Sequence, residues 1–451
     1  MMSNCNHKKQ LRQKGFALIT FVLVLLLAGT AVMFSLLDGN QVKVAQDKKT
    51  ALALSEAKNA LIGFAARSGV AVGAARPGDL PCPDNYPSGH VNEGTSGSVF
   101  ATTCNGNAIG RLPWKTLGIA DLRDANGDRL WYAVSNNFKN NPRVYPLNSD
   151  TLGTISLRDS AGQLLNDGAS GSGLVAVIFS PGVPIVRQDE VPQVRENANF
   201  NNPIHYLDIA LGEDNQNFIN GNVDGFISGI VKDVNGNVVL NDKVIAITQR
   251  EIMTPVEKRV AAAVSNALLD HYCQPDAANY ATKNCTGNIG NQFYPRPAVF
   301  SDTSCFGALS VLTCPSSIAE NRGRIAVTLD AGAWNATSIL RGTAVNNWFQ
   351  RNGWREQTYY SVDVACVSPA VNCGGGLGLS LTLNNALNNP LSRVIVTMSG
   401  SSQIGQLRGT NPDKQNVLNY LEDENAVPLD DVFTRAAAGV AFNDYSVNIP
   451  Q

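Results

Sequence analysis

The sequence predicts an α+β protein with one long N-terminal helix, transmembrane in its first half, followed by two tandem heads. Each head is expected to be a helix packed on an antiparallel β-sheet. Three observations support this fold class: an unbroken apolar run, a helical pattern that continues past it, and short matches in the same order in the two halves of the chain. Together they predict one helix whose first half lies in lipid and whose second half packs on protein, followed by a duplicated globular part.

The apolar run extends from Phe16 to Leu37, and the first charge after it is Asp38. Its 22 residues are enough to cross the core of a bilayer as one helix at about 1.5 Å per residue. Basic residues precede the run between Lys8 and Lys14, which favours a cytoplasmic N-terminal side. We therefore expect 16–37 to be the transmembrane half of the helix, with the bulk of the chain beyond the inner membrane.

The helical pattern continues after Asp38. Leu54, Ala57 and Leu61 follow one another at intervals of three and four residues, and no proline occurs until Pro77. We expect a single helix from Phe16 to about Arg67, whose second half packs on a globular head.

Composition favours a structural protein over an enzyme or a nucleic-acid binder. The chain has 35 Lys and Arg against 37 Asp and Glu, so its charge offers no attraction to nucleic acid. Hydrophobic residues make up 44%, which is ample for real cores. The four histidines are scattered, and no metalloprotease, serine-hydrolase or phosphate-loop motif is present. We expect no enzymatic activity.

The second half of the chain restarts with a helix. Thr254 to Glu257 reads as a capping box with a proline at the first helical position. Five short segments after this point then repeat segments of the first half in the same order, which predicts a first head at 38–250 and a second at 251–451. The matches are 59–62 with 266–269, 131–134 with 359–362, 177–180 with 396–399, 206–208 with 420–422, and 241–242 with 443–444. One large head with an elaborated sheet is the alternative.

The N-terminus resembles that of type IV prepilins and type II secretion pseudopilins. Lys14, Gly15 and Phe16 are followed by Ala-Leu-Ile inside the apolar helix. The resemblance implies that 1–15 is a leader, that a prepilin peptidase cuts between Gly15 and Phe16, and that Phe16 becomes N-methylated. It also implies the pilin plan of a long helix and an antiparallel sheet, hence two pilin-like heads. An ordinary anchor and a secretory signal peptide are the alternatives.

Thr20 departs from the family pattern. Most members carry a glutamate at the fifth residue after the cut, where it is thought to pair with the terminal amine of a neighbouring subunit. A subunit at the tip has no neighbour above it, and tip pseudopilins characteristically lack the acid. Thr20 therefore favours a tip or initiating subunit, with simple drift in a minor subunit as the alternative.

Nine cysteines are present, and Cys5 lies in the leader. The other eight are an even number in a periplasmic context, where disulfides persist. We expect bonds between sequence neighbours, although eight cysteines allow 105 pairings. A zinc site is disfavoured because no tightly spaced Cys-x-x-Cys pair exists. The expected bonds are Cys82–Cys104, Cys273–Cys285, Cys305–Cys314 and Cys366–Cys373.

One acidic turn is a candidate calcium site. Asp121, Asp124, Asn126 and Asp128 could supply several of the six to eight oxygen ligands that calcium takes. Similar turns with fewer acids occur at 159–163 and 233–237, which favours plain hairpin chemistry as the alternative. Calcium is the one cofactor that the sequence suggests.

These observations favour a minor pilin or pseudopilin at or near the tip of a type IV pilus or a type II secretion pseudopilus. The expected partners are the prepilin peptidase, other pilins or pseudopilins and the inner-membrane assembly platform. The expected location is the inner membrane, single-pass, with the C-terminal bulk in the periplasm or, in a pilus tip, at the cell surface. The alternative function is a single-pass membrane-anchored periplasmic binding or enzymatic protein.

Overall fold

The fold is taken from a computed structural model. It describes residues 16–68, 76–98, 104, 108–217, 225–275, 281, 285, 292–308, 313–342, 347–368, 373, 380–384, 391–427, 431–435 and 442–450. The side chains of 16–18, 29–40, 197 and 450 are outside the description.

The first half of the chain carries one long helix and most of the short strands. Helix α1 is Phe16–Arg67 and α2 is Trp114–Leu117. The strands are β1 Ala108–Arg111, β2 Trp131–Val134, β3 Ser156–Arg158, β4 Leu164–Asn166, β5 Ala176–Ser180, β6 Ile209–Ala210, β7 Glu213–Asp214, β8 Gly225–Ile227, β9 Val231–Lys232, β10 Val238–Leu240 and β11 Lys243–Ile247.

The second half begins with a shorter helix and continues with longer strands. Its helices are α3 Gln249–Cys273, α4 Trp348–Arg351 and α5 Asn411–Gln415. Its strands are β12 Arg322–Arg324, β13 Thr358–Val362, β14 Thr382–Asn384, β15 Ser392–Met398, β16 Val432–Thr434 and β17 Tyr445–Pro450. Short 3-10 turns lie at Asn197–Asn199, Pro203–His205, Thr303–Cys305, Val364–Cys366, Val417–Asn419 and Asp423–Ala426.

Two antiparallel sheets of four strands share one topology. The strand order is β1-β2-β5-β11 in the first and β12-β13-β15-β17 in the second. A parallel pair accompanies each sheet, β3 with β8 and β14 with β16. We call the parts around these sheets the first repeat (76–247) and the second repeat (292–450). The remaining small sheets, β6-β7 and β9-β10, belong to the first repeat.

The turn that leads into β2 follows from local chemistry. Gly127 adopts a φ of 89°, which L-residues rarely adopt, and the backbone of Asp124 and Asp128 closes the turn. The similar turns at 159–163 and 233–237 also connect paired strands, β3 with β4 and β9 with β10.

The start of α3 differs from the prediction. The helix begins at Gln249, and its capping box is formed by Thr248 and Glu251. Pro255 lies inside the helix instead of at its first position. The segments that begin at Thr248 and at Thr254 both fit the T-x-x-E pattern. The helix begins at the earlier segment, where the side chains of Thr248 and Glu251 each accept the backbone N–H of the other residue.

One hydrophobic core joins the two repeats. Ala57 and Leu61 of α1, Val260 and Val264 of α3, and side chains from both four-stranded sheets are buried in the same cluster. Helix α1 packs on β5 and β11, α3 packs on β15 and β17, and the two helices pack on each other. Lys58 and Glu251 form an ion pair of 2.5 Å between them. The layers are therefore sheet, helix, helix, sheet.

The predicted fold class is wrong in two respects. No helix in the described part of the chain is long and apolar enough to span a membrane. Within the expected span, the described side chains are those of 19–28. The rest of the expected span 16–37 lies among side chains outside the description. The prediction of two separate tandem heads is also wrong. The helices of the two parts share one core, and several small sheets accompany the two larger ones.

The shared core predicts that the two repeats lose stability together. Leu61→Ala in α1 and Leu268→Ala in α3 each remove a fully buried side chain, so each should lower the free energy of unfolding by about 2–5 kcal/mol. Hydrogen-exchange mass spectrometry in mild denaturant should show faster exchange in both β2 and β13 for either variant. Leu152→Ala, at a side chain that is 44% exposed, is the control. Faster exchange confined to the repeat that carries the substitution would contradict a common core.

Candidate functional site

The N-terminal part of α1 exposes apolar side chains on every side. Ile19 and the seven residues from Phe21 to Leu27 are between 48% and 63% exposed. Seven consecutive residues make about two full helical turns, so no face of this segment packs on the rest of the described chain. We call Ile19–Leu27 the apolar segment. A continuous apolar surface of this kind normally marks a site of association.

The same helix is an ordinary amphipathic helix further along. Thr50, Leu54, Ala57, Leu61 and Ala65 are buried on one face, while 41–49 are exposed. The burial repeats every three or four residues, as expected for a helix with one face on a core. Helix α1 therefore has a part that the chain itself buries and a part that it leaves uncovered.

The residues predicted to be processed lie at the start of this helix. Gly15 is outside the described residues, and Phe16 is the first residue of α1. Thr20 is exposed within the apolar segment. Thr20 thus lies on an uncovered surface, among exposed apolar side chains.

The chain is disulfide-bonded between sequence neighbours. The bonds close short loops, and the most distant partners are 22 residues apart. Three of the four bonds belong to the second half, where one ties the C-terminal end of α3. The bonds are Cys82–Cys104, Cys273–Cys285, Cys305–Cys314 and Cys366–Cys373.

Arginines form ion pairs with two carboxylates of the acidic turn. Asp121 accepts hydrogen bonds from Arg129 and Arg123 at 2.7–3.0 Å, and Asp128 pairs with Arg195. Burial would raise the pKa of Asp121, but the two arginines lower it below its usual value. Burial raises the pKa of Asp128 in spite of Arg195. These two groups serve as anchors for arginines.

Asp124 holds the turn itself. One of its oxygens accepts the backbone N–H groups of Asn126 and Asp128 at 2.8 and 3.0 Å, and the other accepts the hydroxyl of Ser180 at 2.9 Å. Within the described ranges, no group of three or more His, Cys, Asp or Glu side chains could hold a metal ion. The contacts of the turn join β2 to its neighbours, and calcium binding by its four predicted ligands stays a prediction.

A buried pair of acids lies behind this turn in the first repeat. One Asp208 oxygen accepts the backbone N–H groups of Asn241 and Asp242, and one Asp242 oxygen accepts the N–H of Asp208 and the amide of Asn215. Gln193 donates to the other Asp208 oxygen at 2.8 Å. The pair fastens the loop after β5 to the start of β11.

The second repeat contains the same pair with the same partners. One Glu422 oxygen accepts the N–H groups of Asn443 and Asp444, and one Asp444 oxygen accepts the N–H of Glu422 and the amide of Asn425. An arginine lies over the preceding tyrosine ring in each repeat, Arg195 over Tyr206 and Arg408 over Tyr420. The duplication therefore extends to individual hydrogen bonds.

In each pair one buried carboxyl oxygen lacks a hydrogen-bond donor. The second carboxyl oxygen of Asp242 and that of Asp444 are buried without a hydrogen-bond partner in the described structure. Burial, followed by the neighbouring acid, raises the pKa of both groups well above the usual value. Burial also raises the pKa of Asp208 to about 6. One shared proton would remove the repulsion in each pair.

The sequence marks these residues as repeated but does not show their contact. Tyr206-Leu207-Asp208 and Asn241-Asp242 match segments of the second half, and each match by itself indicates only repetition. The signal was available: the acid is retained in both repeats at positions that become fully or almost fully buried. A buried acid requires a partner, and the other matched segment supplies it.

No protein-family model, no curated protein and no solved structure matches this chain.

The acid pairs predict that stability falls as the pH rises. The pKa values of Asp208, Asp242 and Asp444 are higher in the folded chain than the 3.8 of an ordinary aspartate. Their contribution to stability is therefore complete below about pH 4 and is lost as the pH rises through the folded pKa, which is about 6 for Asp208. In the double variant Asp242→Asn/Asp444→Asn, the free energy of unfolding should also fall between pH 5 and pH 8. The fall should be smaller than in the wild-type chain by on the order of 2 kcal/mol. Urea unfolding at both pH values measures this difference.

Two comparisons isolate the acid pairs. Glu196→Gln removes an exposed acid and should keep the wild-type pH dependence. Glu257, whose pKa burial raises to about 7, contributes a slope that is common to all the variants. A double variant with the same loss as the wild-type chain would show that the pairs carry no shared proton.

Proposed function

We propose that this protein is a non-enzymatic minor subunit of a type IV pilus or type II secretion pseudopilus and that it assembles through the apolar segment of α1. The observation that carries the proposal is the exposure of Ile19 and Phe21–Leu27 on every side of the helix. Burial of such side chains contributes roughly 25 cal/mol per Å² of apolar surface. Helices of other subunits in a fibre core would supply that burial.

The sequence before the helix supports the same function. Gly15 and Phe16 match the prepilin cleavage site, and cleavage there would make Phe16 the N-methylated first residue of α1. The prepilin peptidase, other pilins or pseudopilins and the assembly platform at the inner membrane are the partners that this proposal requires. The disulfide bonds suit a globular part in the periplasm, or at the cell surface when the subunit is in a pilus.

Bulk and Thr20 favour the tip. The two repeats extend over 76–450, and a globular part of this size is bulky for a subunit that repeats along a shaft. Thr20 offers no carboxylate to the terminal amine of a neighbouring subunit. A tip subunit has no neighbour above it and loses nothing by this change.

Mass spectrometry of the assembled protein tests the processing. Co-expression with a prepilin peptidase should yield an N-terminal Phe16 that carries one methyl group, and Gly15→Val should keep the leader because the residue before the cut is changed. An unprocessed Met1, or a cut beyond Leu37, in the wild-type chain would contradict the proposal.

A charge in the apolar segment tests the assembly. Leu23→Lys, at a side chain that is 55% exposed, should reduce recovery in sheared fibres at least tenfold because an ammonium group is costly in a helical core. Val44→Lys is the matched control, since Val44 is 66% exposed on the same helix outside the apolar segment. Circular dichroism should show both variants folded. Equal recovery of the two variants would contradict assembly through this segment.

A further inference from the structure

A groove lies beside the contact between α1 and the edge strand of the first sheet. Strand β11 is the last strand of that sheet and pairs with β5 on one side only. The groove has a volume of about 540 Å³, which is within the range of ligand sites in proteins. We call it the α1–β11 groove, and its walls include Lys43, Asp47, Val183, Ser228, Ile230 and Val244.

The backbone of Val244 faces this groove. In an antiparallel strand the main-chain groups of alternate residues point to the same side. The N–H of Asp242 donates outward to Asp208, and the carbonyl of Ala246 accepts outward from Lys58 at 2.8 Å. Val244 lies between these two residues, so its N–H and C=O point outward as well. In the described part of the chain no hydrogen bond reaches them on that side.

The second repeat closes the equivalent edge with an arginine. The acid pairs align Asp242 with Asp444, and therefore Val244 with Ser446. The carbonyl of Ser446 accepts a hydrogen bond of 2.7 Å from Nε of Arg435. The guanidinium of Arg435 also lies over the ring of Tyr445. A side chain of the protein itself thus occupies this edge of the second sheet.

The first repeat has a serine where the second has this arginine. Asn215 hydrogen-bonds both main-chain groups of Ile227, and Asn425 does the same with Thr434. The residues that follow, Ser228 and Arg435, are therefore equivalent. Ser228 is too short to cross the space, and it forms part of the groove wall. The groove is the space that the arginine fills in the other repeat.

The walls indicate what the groove would bind. Val183 and Ile230 are 53% and 65% exposed and offer apolar contacts. Lys243 is paired with Asp47 at 2.5 Å, and Lys43 adds a second positive charge beside the opening. An open strand edge, apolar walls and the ammonium group of Lys43 suit an extended peptide that carries apolar side chains and an acid.

We infer that the α1–β11 groove binds an extended peptide segment of a partner protein, which adds to the first sheet as a fifth strand beside β11. The backbone of the peptide pairs with Val244, its apolar side chains contact Val183 and Ile230, and an acidic side chain lies near Lys43. This binding does not depend on filament assembly, because all of these residues lie outside the apolar segment.

Ser228→Arg copies the second repeat and tests the inference. The new guanidinium should fill the groove and donate to the Val244 carbonyl, so the melting temperature should equal or exceed that of the wild-type chain. Linear twelve-residue peptides selected by phage display on the immobilised full chain are the probe. Enriched peptides should alternate apolar and polar residues, include Asp or Glu, and bind the Ser228→Arg variant at least tenfold more weakly than wild type in fluorescence anisotropy.

Two controls make the result specific. Ser170→Arg adds the same side chain at an exposed loop outside the groove wall and should bind the peptides as wild type does. N-methylation of the central peptide amides removes strand hydrogen bonds and should also weaken binding at least tenfold. The inference is overturned if no enriched peptide is sensitive to Ser228→Arg, if N-methylation has no effect, or if sedimentation shows instead a dimer of this chain that Ser228→Arg dissociates.

Discussion

The burial of α1 against α3 and the first sheet is the constraint on which the rest depends. One face of α1, from Thr50 to Ala65, has its apolar side chains in the common core. This packing holds the first sheet on one side and, through α3, the second sheet on the other. The part of α1 that precedes this face leaves its apolar side chains exposed.

The duplication explains both the similarity and the difference of the two repeats. The buried acid pairs are retained with their partners, because replacing one member would leave an unpaired group in the interior. The sheet edges have diverged. Arg435 covers one edge, and Ser228 leaves the other open, so a single side chain separates a closed sheet from a sheet with an available strand position. A duplicated fold can gain a binding site in this way without losing its core.

The proposed function connects these features to the helix. The apolar segment offers a means of association that needs no shape complementarity beyond that of packed helices, whereas the globular part offers chemically specific surfaces. Thr20 lies in the apolar segment, and the α1–β11 groove lies on the globular part. Arginines hold the acidic turn at Asp121 and Asp128, so that region acts as a structural joint between the strand β2 and the loops around it.

Local chemistry in the sequence determined the features that involve neighbouring residues. The turn at Gly127 and the strands around it follow from such short-range preferences, as does disulfide bonding between neighbouring cysteines, since short loops close readily. Only the tertiary structure decided that the helices share one core and that Asp208 meets Asp242. These outcomes depend on which distant groups become buried together, and the need to satisfy buried polar groups acts only after the layers have packed.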